Sequence, residues 1–226
     1  MFLSIESSAV TASACLTDDN NNIINSEFIN AGLTHSETLL PLIKKVMKGY
    51  KYTQLDKIAV TVGPGSFTGI RIGVATAKGL AFVNDTKCVG VSTLEAIAYN
   101  FTDVNAVICA CMDARRMQFY NALFEVNNGI VKRLTPDRAI NIDDLETELK
   151  NYKNVIIAGD GAKLCYDNLH LNNINLADDD KIYQNAIGVS RASSDKNPLT
   201  AKQLVPVYLR PSQAERELKL KKENLK

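Results

Sequence analysis

The sequence predicts an α/β protein of two similar lobes, each a mixed sheet with helices in the order β-β-β-α-β-α. Three observations carry that reading. Residues 58–81, IAVTVGPGSFTGIRIGVATAKGLA, have the form of strand, glycine turn and helix. Three runs of strand composition precede them, and a second set of three strands begins near Val104, followed again by helix, strand and helix. The halves share no letter-for-letter repeat, so the repetition is one of topology.

Taken in order, residues 2–5 and 12–16 read as strands, and the Asn-rich run 18–22 turns the chain into a third strand over 23–29. Thr34-His35-Ser36-Glu37 has the capping-box form, and Leu39, Ile43, Val46 and Tyr50 recur at helical spacing. Pro41 fits only a first helical turn, which moves the expected start of regular helix to about Thr38. Residues 58–62 are apolar and β-branched, as in a strand covered on both faces. Gly63-Pro64-Gly65 stops that strand, and Ser66 or Thr68 caps a helix expected from Gly69 to Val83. A strand at 87–91 and a helix through Leu94, Ile97 and Ala98, capped by Ser92 or Thr93, close the first unit near Asn100.

The second unit has expected strands at 106–112, 118–126 and 130–134, with a turn at Asn127-Asn128-Gly129. A helix over 143–149, a buried strand over 155–158 and a helix over 162–169 come next, the last after Gly159-Asp160-Gly161. Residues 190–202 read as a loop leading to Val205-Pro206-Val207-Tyr208-Leu209-Arg210. The expected division is an N-terminal lobe over 1–100, a C-terminal lobe over 101–212 and a basic surface helix over 213–226.

Composition narrows the function. Apolar residues make up 46% and charged residues 23% of the 226, and the formal net charge is +1. Residues 1–100 carry eight Lys/Arg against eight Asp/Glu and the remainder 18 against 17, so neither half is built to grip nucleic acid by bulk charge. There is no basic leader and no apolar run long enough to cross a bilayer, which makes a cytoplasmic protein the expectation. Five cysteines without a Cys-x-x-Cys pair read as buried free thiols, and two histidines far apart in sequence supply a metal site poorly.

Two phosphate cradles fail letter by letter at the glycine turn. A P-loop needs Lys-Ser or Lys-Thr after its second glycine, but Thr68 stands where that glycine would be and the nearest downstream lysine is Lys78. A dinucleotide fingerprint also wants glycine at 68, and Pro64 removes an amide from any nest. Gly69, Gly73 and Ala77 instead form a strip without bulky side chains, along which something packs closely. Either a partner or the lobe's own interior could occupy it.

VGPGSFTGIRIGVATAKGLAF, with HSETLLPLI before it and GVSTLEAIA after it, closely resembles the bacterial TsaB family, also called YeaZ. The opening FLSIESS, the segment Met112-Asp113-Ala114-Arg115-Arg116, the turn Gly159-Asp160-Gly161-Ala162 and PVYLR near the end support it. The resemblance implies a two-lobe actin-like, Hsp70-like (ribonuclease H-like) fold. It also implies a non-catalytic subunit of the complex that forms tRNA N6-threonylcarbamoyladenosine, bound to a TsaD-like catalytic subunit. A TsaE-like ATPase is a possible further member, tRNA is met only through the complex, and a homodimer is possible without the partner.

TsaD-like proteins carry a His-x-x-x-His metal pair where this chain has Thr93 and Ile97, which cannot replace two imidazoles. No cofactor and no metal are therefore expected. The expected partner-binding residues are Glu37, Leu40, Ile43, Lys44 and Met47 on the first helix, and Gly69, Ile72, Gly73, Thr76 and Ala77 on the second. Glu6, Ser7, Asp113, Arg115, Gly159 and Gly161 mark a degenerate nucleotide site, because Ala114, Arg115 and Arg116 stand where related kinases bring backbone to phosphate. The competing expectation is a stand-alone ATP-dependent kinase, or a carbamoyl or acyl transferase, of the same superfold.

Overall fold

A computed structural model describes residues 1–210 apart from 31 and 33. The terminal helix expected over 213–226 lies outside the described residues. Strands β1 (Phe2–Glu6), β2 (Ala12–Thr17) and β3 (Ile23–Ile29) form an antiparallel meander. Strands β4 (Lys57–Gly63) and β5 (Lys87–Ser92) then add in parallel, giving the order β3-β2-β1-β4-β5. The second sheet repeats this as β8-β7-β6-β10-β11, from β6 (Ala106–Asp113), β7 (Gln118–Asn127), β8 (Ile130–Arg133), β10 (Val155–Ala158) and β11 (Ile174–Leu176). This is a two-lobe α/β architecture, with two mixed sheets of one topology.

Two strands escaped the sequence reading. β9 (Arg138–Asn141) pairs with the Gln118–Asn121 half of β7, and β8 takes the other half. Both β9 and β11 are too short to show alternation, so only a neighbouring edge defines them. The turn at Asn128 and Gly129 has φ of 50° and 82°, the left-handed pair that joins β7 to β8 tightly.

Helix α1 (His35–Val46) begins three residues before the expected Thr38 and carries Pro41 in its second turn. Glu37, whose carbonyl loses its amide partner to Pro41, and Pro41 itself are both exposed, where water is available to that carbonyl. Thr34 is the N-cap in extended backbone, but its side chain makes no capping bond, so the expected capping box does not form; Thr38 Oγ1 instead donates back to the Thr34 carbonyl at 3.2 Å. Helix α2 (Phe67–Phe82) opens two residues before Gly69, capped by Ser66, whose Oγ accepts from the Gly69 amide at 3.3 Å. Both helices cover one face of the first sheet, around Leu3, Ile5, Ile43, Ile58 and Ile70.

The middle of the molecule is an exchange. Helix α3 (Thr93–Ala98) packs onto β6 and β7 of the second sheet, while α6 (Ala186–Ala192) returns to lie across β1, β2 and β4 of the first. The two helices also cross each other. A Cβ on Gly188 would collide with the Ala96 carbonyl, so only glycine permits that approach. The remaining helices, α4 (Ile142–Leu149) and α5 (Ala162–Asn168), serve the second lobe.

The expected loop over 190–202 is therefore corrected at its start, where residues 190–192 end α6. After α6, Leu199 bridges Cys88 through both backbone bonds and the Val207 amide donates to the Val62 carbonyl at 2.7 Å. The chain thus goes back to the first lobe, and a division at 100/101 splits neither lobe cleanly. All five cysteines are free and buried.

Candidate functional site

Two places come forward, the outer face of α1 and α2 and the cleft between the lobes. On the helices the structure separates the expected partner-binding residues into two groups. Glu37, Leu40 and Lys44 are exposed, and Ile72 and Thr76 are half-buried. Ile43, Met47, Gly69, Gly73 and Ala77 are core residues of the first lobe and cannot meet a partner in this arrangement. The strip of small residues faces inward, toward Ser7 just past the end of β1 and toward β4, on which α2 chiefly packs. A Cβ on Gly69 would strike the Ser7 carbonyl, and one on Gly73 would meet Ser7 Oγ and lie 3.3 Å from Val60 Cγ2. Ile70, Val74 and Ala81 are buried on the same lobe's sheet.

The cleft lies beyond the ends of β1, β4, β6 and β10, where the two lobes face each other. Its volume is about 330 Å³, and its walls include Ser8, Ser66 and Phe67 from the first lobe and Asp113, Tyr120 and Asp160 from the second. The glycine turn shapes one wall. Gly65 has φ of 151°, its side-chain direction is blocked by the Ser8 carbonyl, and that carbonyl also accepts from the Ser66 amide at 2.6 Å. A strap over 207–210 ties the rim together. Tyr208 stacks on Phe67 at 4.5 Å and accepts from Arg71 Nε at 2.8 Å, while Arg210 donates to the Ala114 carbonyl at 3.0 Å and pairs with Gln118.

Of the expected nucleotide-site residues, Asp113 and Arg115 line the cleft, whereas Glu6, Ser7, Gly159 and Gly161 lie behind its walls. Glu6 is fully buried, and its Oε1 accepts from the amide and the hydroxyl of Ser8, each at 2.6 Å. Burial raises its carboxyl above the ordinary range against the pull of those bonds. Ser7 Oγ donates to the Gly69 carbonyl at 3.0 Å, so it serves helix packing. Asp113 accepts from the Arg115 amide at 2.6 Å, and the Arg115 side chain is 88% exposed. Arg115, Arg116 and Met117 are all left-handed, with φ of 69°, 57° and 55°, a run that costs free energy in non-glycine residues.

Gly159 and Gly161 hold β10 and α5 against β6. A Cβ on Gly159 would strike the Cys111 carbonyl, and one on Gly161 would lie 2.6 Å from the Asp113 amide. Between them stands Asp160, which the sequence reading passed over as a turn residue. Its Oδ1 is buried without a hydrogen-bond partner. Burial first, then the charges of Asp113 and Glu6, push its carboxyl up to about 7. An aspartate between two glycines looks like turn chemistry, and only its burial beside Asp113 and Glu6 at the cleft shows otherwise.

The metal-pair positions do not fit a metal. Ile97 is packed in the second lobe's core, Thr93 is fully buried with its hydroxyl unpartnered, and neither offers an imidazole or thiolate. No group of three or more His, Cys, Asp or Glu side chains suited to a metal occurs among the described residues.

Comparison with known proteins agrees with this geometry. The family model described as TsaD, tRNA N6-adenosine threonylcarbamoyltransferase, matches residues 29–183. The chain is 36% identical over 118 residues to the tRNA threonylcarbamoyladenosine biosynthesis protein TsaB of Bacillus subtilis, covering 51% of this chain and 52% of that protein. It is 32% identical over 133 residues to the protein of the same name from Escherichia coli, covering 57% of each. The match thus spans little more than half the length of these relatives. The TsaB of Buchnera aphidicola is 31% identical over 147 residues, 62% of this chain and 70% of that one. The solved structure of YeaZ from Pseudomonas aeruginosa superposes with a TM-score of 0.80 at 21% identity, over 92% of this chain and 99% of that one, so the two share a fold. With a family model over well more than half of its residues and a relative matched over most of that relative's length, the chain belongs to the TsaB (YeaZ) family.

Proposed function

We propose that this chain serves in tRNA threonylcarbamoyladenosine biosynthesis as a non-catalytic subunit that binds a TsaD-like catalytic subunit. The observation that carries the proposal is the state of the two positions equivalent to the TsaD-like metal pair. Thr93 and Ile97 are fully buried and chemically unsuited to bind a transition metal, in a chain whose relatives bear the TsaB name. The cleft supports the same reading, because Asp113 and Asp160 line it with carboxyl groups, a poor lining for the phosphates of a nucleotide.

The face proposed for the partner is what remains of the expected set once the core residues are removed: Glu37, Leu40 and Lys44 on α1, with Ile72 and Thr76 on α2. Leu40 is 47% exposed, an apolar side chain without cover on the helix that carries it. A TsaE-like ATPase and tRNA would join through the complex, a second copy of the chain would compete for this face when the partner is missing, and the location is the cytoplasm, where tRNA is modified. Among the described residues no helix is long and apolar enough to cross a membrane.

Co-purification with the TsaD-like protein of the same host tests the proposal, combined with a transfer assay on each protein alone and on the pair. The expected result is a stable pair, no threonylcarbamoyl transfer and no ATP hydrolysis by this chain alone, and modification of tRNA only with the partner present. Turnover by the chain free of partner would overturn it in favour of a stand-alone kinase or transferase.

A further inference from the structure

Three sulfurs meet in the core of the second lobe. Cys111 Sγ on β6 lies 3.5 Å from Cys109 Sγ, two residues back on the same strand, and 3.7 Å from Cys165 Sγ on α5. All three side chains are fully buried. Asn121, paired with Cys111 across β7 and buried as well, fixes the polarity of the group. Its Oδ1 accepts from Arg138 Nε at 3.2 Å and Nη2 at 3.0 Å, which turns its amide nitrogen the other way. That nitrogen donates to Cys109 Sγ at 3.3 Å, to Cys111 Sγ at 3.6 Å and to the Ala110 carbonyl at 3.0 Å.

Cys111, in the middle, collects the donors. Hydrogen bonds with the Cys109 and Cys165 thiols, then with Asn121, and the charge of Arg138 hold it well below the ordinary thiol range in spite of burial. Cys165 is raised, first by its bond to Cys111 and then by burial, so an attacking thiolate stands in contact with a protonated thiol. Cys109 is the poorer second partner, because residues two apart on a strand hold their Cβ atoms roughly 6.6 Å apart and a disulfide needs about 3.8 Å. Burial pushes the Cys15 thiol up to about 12 and raises that of Cys88, which removes both from competition.

We propose that Cys111 and Cys165 form a reversible disulfide when the protein meets hydrogen peroxide. The Cys111 thiolate attacks one peroxide oxygen, the O–O bond breaks, and hydroxide leaves a sulfenic acid on Cys111. The Cys165 sulfur then attacks Cys111 sulfur and displaces its oxygen, which departs as water with the Cys165 proton. Hydroxide takes up the proton that Cys111 lost on ionising, so two thiols are oxidised and one peroxide is reduced to two waters. Met112 and Asp113 follow Cys111 on β6 and line the cleft, where local opening admits an oxidant little larger than water. The bond fastens α5 to β6 beside Gly161, whose amide donates to the Cys111 carbonyl at 3.1 Å, and so fixes one wall of the cleft. None of this depends on the subunit reading, since the sulfurs lie in the second lobe's core, away from α1 and α2.

Thiol counting and peptide mapping of the full chain test it. The protein is reduced, freed of reductant, exposed to hydrogen peroxide while folded, alkylated and then unfolded. Expected are the loss of two of the five free thiols, a single bond joining the peptides of Cys111 and Cys165, and full recovery with dithiothreitol. Cys165→Ser should form no disulfide and should carry a sulfenic acid at Cys111 that dimedone traps. Five free thiols after an exposure that oxidises the urea-unfolded chain, a bond to Cys15, Cys88 or Cys109 in place of the expected one, or dimedone trapping at another cysteine of folded Cys165→Ser would each overturn the proposal. The mapping uses the unaltered protein, so it decides the matter even if the variant does not fold.

Discussion

Ser7 and Gly69 are locked together from both sides: Ser7 Oγ donates to the Gly69 carbonyl at 3.0 Å, and the Ser7 carbonyl occupies the space a Gly69 side chain would need. The strand and helix can approach this closely only because the helix presents no Cβ at that point. Backbone cannot swing aside as a side-chain tip can. Gly69 and Gly73 thus seat α2 against Ser7, just past the end of β1.

The first prediction separates the two glycines. Gly69→Ala should destabilise the protein by about 2 kcal/mol or more, because its methyl meets a fixed carbonyl. At Gly73 the obstacle is Ser7 Oγ, which can rotate, and alanine favours helix over glycine by roughly 1 kcal/mol, so Gly73→Ala should be far milder. Gly73→Leu should cost about 1–3 kcal/mol by overpacking. Urea melts check the order. Full stability of Gly69→Ala or Gly73→Leu would mean that the strip lies on the outside after all.

A second prediction concerns the partner face. Leu40→Glu replaces an exposed side chain and should change stability by only about 0.5 kcal/mol. Its affinity for a TsaD-like protein should fall at least tenfold if Leu40 is buried in the pair, as the proposed function requires. Calorimetric titration of the two purified proteins, beside a thermal melt of the variant alone, reads both quantities. Unchanged affinity would place the interface elsewhere.

The pH dependence of stability should carry the mark of Asp160. Burial, and then the neighbouring Asp113, Glu6 and Cys111, hold its carboxyl at about 7 in the folded protein against an ordinary 3.8. The folded state therefore holds a proton that the unfolded state gives up, and stability falls as pH rises from about 4 to about 7 and is flat above. Asp160→Asn should remove this penalty. The variant should match the parent near pH 4 and gain on it by up to about 4 kcal/mol near pH 8, in the absence of added ligand. Denaturant melts of both proteins at the two pH values give the difference directly, and a gap independent of pH would refute the assignment.

Ser13 offers a test of the helix exchange. Its Oγ accepts from the Ala186 amide at 2.8 Å, joining β2 of the first lobe to the first turn of α6. Ser13→Ala would leave that buried amide without an acceptor, at a cost of about 1–3 kcal/mol. Hydrogen exchange should quicken first at residues 186–192. Uniform quickening across both lobes would show instead that α6 opens only with the whole molecule.

The repeated β-β-β-α-β-α pattern, the Gly63-Pro64-Gly65 turn, the Ser66 cap and the family were all legible in the chain, because each rests on local chemistry: β-branched runs, glycine at left-handed positions, side-chain oxygens beside free amides. The side of the helix that Gly69 and Gly73 serve was settled by packing alone, since a missing side chain allows close approach equally to a partner and to the lobe's own strand. Short β9 and β11 needed a neighbouring edge to exist, and α6 needed the gap left by α3 on the opposite sheet. Asp160 is the clearest case. Its place between two glycines is visible in the chain, but its burial and its nearness to Asp113 and Glu6 arise when two distant segments close on each other, and burial is what sets the charge of a carboxylate.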